Sequence, residues 1–245
     1  MRANTVPGFL PSRNGLHFAN RFEHAPLLEV ELGGRRLAVG DAAFGLCGGM
    51  SLTVLDLFTS RALPPPGDGP PAAGTPRFDY LVRRQVASLD RGRVPLRFYE
   101  LMALRSDRAT SIARSIGRRS RTGVLAHRDW PAIRSDIDRG RPSALGLVRV
   151  ASLDPRDLVR HHQVLAYGYE VLDDRLSLRV YDPNHPDRDD VELRLRLGPE
   201  RRPPATVVQT TGEPVVTFFR APYSPLTPAP WMDGPEDPAL RTRPG

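Results

Sequence analysis

Cys47 is the only cysteine of the 245-residue chain, and it stands in FGLCGGMSLTVLDLF (44–58) directly ahead of an apolar run. A thiol does nucleophilic chemistry as its thiolate, and a helix N-terminus stabilises that anion through unpaired backbone N–H groups and the helix dipole. From Gly48 to about Thr59 the residues are apolar on nearly every side (Met50, Leu52, Val54, Leu55, Leu57, Phe58). That run is too long and too little alternating for a half-exposed strand, so it predicts a buried helix that begins at the cysteine. Gly45, Gly48 and Gly49 leave space for a substrate to approach the backbone. The competing reading is packing, since an unpaired cysteine also behaves as a small core residue.

A thiol nucleophile needs a base, and the base needs a group that fixes its tautomer. His162 opens a strand-like segment, HQVLAYGYEV, whose neighbour RLSLRVYD ends in Asp182. Two antiparallel strands joined at Asp173-Asp174 bring the start of the first beside the end of the second, within reach for His162 and Asp182. Ordinary hairpin punctuation, a His pair before a strand and an Asp-Pro turn after one, is the alternative. His161 points to the other face of its strand, because side chains alternate. Asn184 is a second candidate for orienting the histidine. Trp130, Trp231, Tyr167 and Tyr169 read as packing rather than as a substrate platform.

The elements that must position these groups follow from pattern. Residues 1–26 mix Pro, Gly, Asn and aromatics and read as an extended arm over the domain. LLEVELGGRRLAVG is a hairpin around Gly33-Gly34 that delivers the chain to Cys47. Residues 62–76 are a Pro/Gly insertion, and helices are expected around 77–90, 95–105 and 108–118. Another helix carries Trp130, Ile133 and Ile137, with Asp129 as N-cap and Gly140 past its end. SALGLVRVAS, HQVLAYGYEV, RLSLRVYD, DVELRLRL, ATVVQT and PVVTFFR are strands. Helices first and strands later define an α+β domain over 27–220, one sizeable core for this length, followed by a proline-rich, disordered tail over 221–245.

Taken together, Cys47 at a helix start, His162 at a strand start and Asp182 at the next strand's end resemble the papain-like cysteine peptidases. The likeness is closest to the bacterial branch that clips double-glycine leader peptides. There the histidine opens a strand of the form His-x-Val-x-x-x-Gly-Tyr and the acid lies in an Asp-Pro turn; HQVLAYGY and YDPN have that look, as does the helix, Gly140, Pro142 and strand passage before them. The resemblance covers roughly 27–220 and implies a papain-like fold, a helical first half packed on an antiparallel sheet. It implies a Cys47-His162-Asp182 triad acting on a peptide or amide, without cofactor or metal. One departure stands out. The family places a glutamine six residues ahead of the cysteine as an oxyanion donor; here that position is Asp41. An ionised aspartate donates nothing and opposes a thiolate, so Asp41 is held protonated, or another amide (Gln85, Gln163 or Asn20) substitutes, or cleavage is impaired.

The same residues bear on other function classes. His161, His162, His185 and the turn YDPNHPDRDD offer metal-ligand atoms, but no metal-binding spacing. The net charge of +7 points to anionic partners; yet the chain has no lysine, its 35 basic residues are all arginine, and the bias is that of a GC-rich genome. The arginine-rich stretch 105–123 lacks interleaved aromatics, which disfavours nucleic-acid binding. No apolar run is long enough to span a bilayer, and one cysteine with no signal-like start favours a reducing, cytoplasmic setting. A catalytically silent papain-like binding module is the remaining alternative, made serious by Asp41. The sequence leaves substrate, hydrolase against transferase, and oligomeric state open.

Overall fold

The computed structural model describes residues 1–32, 35–65, 69–103, 125–197 and 207–232. The fold is α+β: a helical N-terminal half packs on an antiparallel sheet formed mainly by the second half. The expected hairpin is present as β2 (Pro26–Leu32) and β3 (Arg35–Asp41), with Gly33-Gly34 outside the described residues. It hands the chain through a 3-10 turn, Ala42–Phe44, to α2 (Cys47–Thr59). Residues 48–57 of that helix are all buried, which is what an all-round apolar sequence requires.

Helix α3 (Pro76–Ser88) is capped by Thr75, whose hydroxyl accepts from the Phe78 N–H, and it packs along α2. Helix α4 (Arg93–Ala103) follows; the helix expected over 108–118 lies outside the described residues. Helix α5 (Trp130–Asp138) ends at Gly140, which adopts φ +73°. Its start differs from expectation. Asp129 is itself in helical conformation and ends a π-helical turn from Leu125, and its carboxylate accepts from the Arg220 N–H instead of capping α5.

Strands β4 (Ser143–Val148), β5 (His162–Leu172), β6 (Arg175–Tyr181), β7 (Glu192–Arg196), β8 (Val207–Gln209), β9 (Pro214–Val215) and β10 (Thr217–Arg220) form one sheet in the order β10-β4-β5-β6-β7-β8-β9, curled into a nearly closed barrel. β5 is its spine. Residues 162–169 are buried on both faces, so the segment is apolar at consecutive positions instead of alternating.

The N-terminal arm is more regular than expected. Its first residues form β1 (Arg2–Thr5), which pairs with the far half of β5 through Thr5 opposite Gly168, and Pro11–Asn14 make a short helix, α1. The tail also differs from the disordered segment expected, since residues 221–232 are packed on the domain. Buried Asp56 of α2 accepts from Tyr80, Tyr223 and the Leu226 N–H, and buried Arg84 of α3 lies 2.8 Å from Asp56 while donating to the Ser224 carbonyl. The short helix α6 (Ala229–Met232) then seats Trp231 against Phe18, with ring centroids 6.3 Å apart. Residues 233–245 lie outside the described residues. Among the described residues, no helix is long and apolar enough to cross a membrane.

Candidate active site

Cys47 is the first residue of α2 and is partly exposed. Leu46 supplies the cap backbone only and no side chain of its own; of the first turn, the Gly48 N–H acts on the thiol while the Gly49 N–H is taken by Gln85 Oε1 at 2.8 Å. The sulfur accepts from the backbone N–H of Gly48 and of Gln163 and meets the His162 ring. Burial alone pushes the thiol up, but the charge of His162 and those hydrogen bonds outweigh it and bring Cys47 below the ordinary thiol range.

His162 opens β5 and pairs in register with Leu147 of β4, which fixes its backbone in the middle of the sheet. Its Nε2 lies 2.6 Å from Asp182 Oδ1, and both residues are buried, at 4 % and 0 % exposure. With Nε2 committed to the carboxylate, Nδ1 is the nitrogen left to face the Cys47 sulfur, with which the ring also interacts. Burial would lower the imidazole; the Asp182 and Cys47 charges more than offset this and raise it to about 9. Burial likewise raises Asp182, and the His162 charge with the hydrogen bonds overrides it, leaving the carboxyl far below its usual range. These shifts all favour a thiolate beside an imidazolium, backed by an ionised aspartate.

Asp182 is held from three sides. Besides His162, its Oδ1 accepts from the Asn184 N–H at 2.8 Å and its Oδ2 from Gln209 Nε2 at 2.7 Å. Asn184 is therefore not the histidine's orienter; its backbone supports Asp182, and its side-chain carbonyl accepts from Asn20 Nδ2 at 3.2 Å. Asn20, from the N-terminal arm, ties the two halves of the site together. Its Oδ1 accepts from the Leu46 N–H at 2.6 Å, and its own N–H donates to the Pro183 carbonyl at 2.9 Å. Gln209 went unnoticed in the sequence, although ATVVQT carries a signal: Val207 and Gln209 are the inward positions, and a glutamine turned inward must have a partner.

Asp41 answers the question raised by its position. Its Oδ1 accepts from the Ala43 N–H (2.9 Å) and the Ala25 N–H (3.2 Å), and its Oδ2 lies 2.7 Å from His24 Nδ1. The Ala43 bond and His24 hold it below the usual carboxylate range, so it is an ionised cap of the 3-10 turn and not a protonated donor. The glycines also do something other than expected. A Cβ on Gly48 would sit 2.2 Å from Ser88 Oγ, and one on Gly49 would sit 2.3 Å from the Leu81 carbonyl oxygen. The space belongs to α3, not to substrate.

His161, the residue just before β5, lines the same cleft, stacks on Phe98 at 4.8 Å, and accepts from the Arg149 N–H through Nδ1. Burial drives it down to about 4, which makes it a much weaker base than His162. His185 is paired with Glu213 at 2.6 Å. The three histidines thus have separate partners, and among the described residues no group of three His, Cys, Asp or Glu side chains is arranged to hold a metal ion. The arginine-rich stretch 105–123 lies outside the described residues.

A cleft of about 330 Å³ is lined by Cys47, His161, His162, Gln163 and Gln85, with an apolar wall of Phe44, Leu89, Pro95, Phe98, Leu158 and Val159. Two hollows elsewhere are larger, at about 460 and 440 Å³, but neither reaches the Cys47-His162 pair, so chemistry rather than size selects this one. In comparisons with known proteins, no family model, curated protein or solved structure matches the chain.

Proposed function

We propose that the protein is a thiol-dependent acyl-transfer hydrolase, a peptidase or amidase of papain-like organisation, working through Cys47, His162 and Asp182. The observation that carries this reading is the connected line from thiol to imidazole to carboxylate: His162 Nε2 is 2.6 Å from a buried, ionised Asp182, its other face meets Cys47, and the thiol opens on a cleft. A core cysteine needs none of this, and a histidine and aspartate serving only the fold need no thiol at their open end.

The roles follow from the geometry. The Cys47 thiolate attacks the carbonyl carbon of an amide, a C–S bond forms, and the carbonyl π pair moves to oxygen. Collapse expels the amine, which takes its proton from His162; the imidazole then draws a proton from water, which attacks the thioester and releases the acid and the thiol. Asp182 holds the ring in one tautomer throughout and stabilises its charged form. An incoming amine in place of water turns the same steps into acyl transfer.

The alternative, a catalytically silent binding module, draws support from Asp41, since an ionised cap leaves the oxyanion without the family's side-chain donor. Turnover of p-nitrophenyl acetate and of a mixed peptide library separates the two. Cys47→Ala is expected to abolish turnover while leaving the melting temperature nearly unchanged; wild-type protein that turns over neither, or a variant as active as wild type, refutes the hydrolase reading.

A further inference from the structure

An oxyanion formed at Cys47 needs two donors. One is the Cys47 N–H, at the first turn of α2 and without an acceptor among the described residues. Asp41 cannot be the other. Of the carboxamides around the site, Gln209 gives its Nε2 to Asp182 and, like Asn184, does not line the cleft, and the hydrogen bonds of the other three fix which way each points. Asn20 spends its carbonyl on the Leu46 N–H and its amide on Asn184, and it does not line the cleft. Gln163 lines the cleft but gives its Nε2 to Ser88 Oγ at 3.0 Å. That orientation is forced, because the Ser88 hydroxyl donates to the Gln85 carbonyl at 2.7 Å and can only accept from Gln163. Gln163 keeps a second N–H, but its Nε2 is tucked between Ser88 and Gly48, where an added Cβ on the glycine would lie 2.7 Å from it, and the atom left wholly unpaired is the acceptor Oε1.

Gln85 is the third. It lies one turn before the end of α3, lines the same cleft as Cys47, and accepts from the Gly49 N–H through Oε1 at 2.8 Å. Capping the first turn of the cysteine helix with its carbonyl oxygen settles the amide's orientation, so the NH2 group is the free end. Among the described residues it has no acceptor. The close approach that places it there is the one that Gly48 and Gly49 permit, with the Gly49 Cα 's missing Cβ direction only 3.1 Å from the Gln85 N.

We infer that Gln85 is a catalytic residue: its Nε2–H2 is the side-chain donor to the oxyanion, reaching the cleft from α3 in place of a residue just ahead of the cysteine. The inference rests on the hydrolase reading above. In the step concerned, the thiolate adds to the carbonyl carbon and the electron pair displaced onto oxygen is met by the Cys47 N–H and the Gln85 amide. Collapse returns the pair to the C–O bond and expels the leaving group.

The test uses two reagents on one thiol in the full chain. Iodoacetamide alkylates by displacement at a saturated carbon and forms no oxyanion; p-nitrophenyl acetate acylates through one. Gln85→Ala removes donor and cap, whereas Gln85→Glu keeps an acceptor for the Gly49 N–H and exchanges the donor for a carboxylate, whose charge opposes both the thiolate and the oxyanion. Rates are compared at a pH where Cys47 is fully ionised in each protein. The expected result is an acylation rate lower by about 100-fold in both variants, with alkylation within about threefold of wild type. Acylation at the wild-type rate, or acylation and alkylation falling in parallel, overturns the role of Gln85 while the thiol chemistry stands. Wild-type protein that neither reagent labels at Cys47 overturns the hydrolase reading itself, and the role of Gln85 with it.

Discussion

Gly49→Ala separates two effects of opposite sign. Gly49 lies inside α2, where glycine is worse than alanine by about 1 kcal/mol, so helix propensity predicts a more stable protein. The packing predicts the reverse. The added methyl would stand 2.3 Å from the Leu81 carbonyl oxygen, against 3.4 Å for ordinary contact, so α3 must retreat by about 1 Å. The obstacle is backbone, which no rotamer change relieves, and overpacking of that kind costs about 3 kcal/mol. Retreat also stretches the 2.8 Å bond from the Gly49 N–H to Gln85, for roughly another 1 kcal/mol. The net loss is about 3 kcal/mol, which in a chain of this size lowers the melting temperature by roughly 6–12 °C. Scanning calorimetry reads it directly. A melting temperature raised by a few degrees would refute the close approach of α2 and α3, and with it the placement of Gln85.

Two further outcomes follow from the hydrogen bonds of the site. Asn20→Ala strips the partner from the Leu46 N–H and from Asn184; it is expected to cost about 1–2 kcal/mol in urea unfolding and to slow alkylation of Cys47, and unchanged values for both would show that the arm does not position the site. Asp182→Asn removes the carboxylate, one of the two negative groups that face buried His162, at a cost of about 3 kcal/mol at neutral pH. Because the folded-state value of Asp182 is depressed, its contribution is present above the unfolded value near pH 4 and is lost as pH falls toward the folded one. The stability gap between wild type and variant should therefore close on acidification below about pH 4; a gap independent of pH would contradict an ionised Asp182.

Local pattern carried much of this architecture. The cysteine helix was legible because its residues are apolar all round, and residues 48–57 are buried accordingly. The meeting of His162 with Asp182 was legible because a hairpin with a short turn leaves little choice of register. What escaped depends on partners far away in the chain. Three polar residues and an alanine make β1, and nothing in them announces a place beside Gly168. The proline-rich stretch after Ala221 is held by Asp56 and Arg84, about 140–170 residues upstream, an ion pair that no local pattern marks. The glycines beside Cys47 were visible, but whether substrate or protein fills the space they leave is decided by where α3 packs. Asp41 was recognised as a departure, while the compensating amide sits 38 residues past the cysteine, on a helix whose pattern records only its buried face.

The central claim is that Cys47 rests as a thiolate because His162 is charged beside it. The rate of iodoacetamide alkylation as a function of pH, in wild type and in His162→Ala, tests it most directly. The account predicts fast labelling that persists well below about pH 8.5, where an ordinary thiol is mostly protonated, and a His162→Ala profile that rises only near that ordinary value. Wild-type labelling that follows the ordinary thiol titration, or a Cys47 that does not react at any pH, would contradict it.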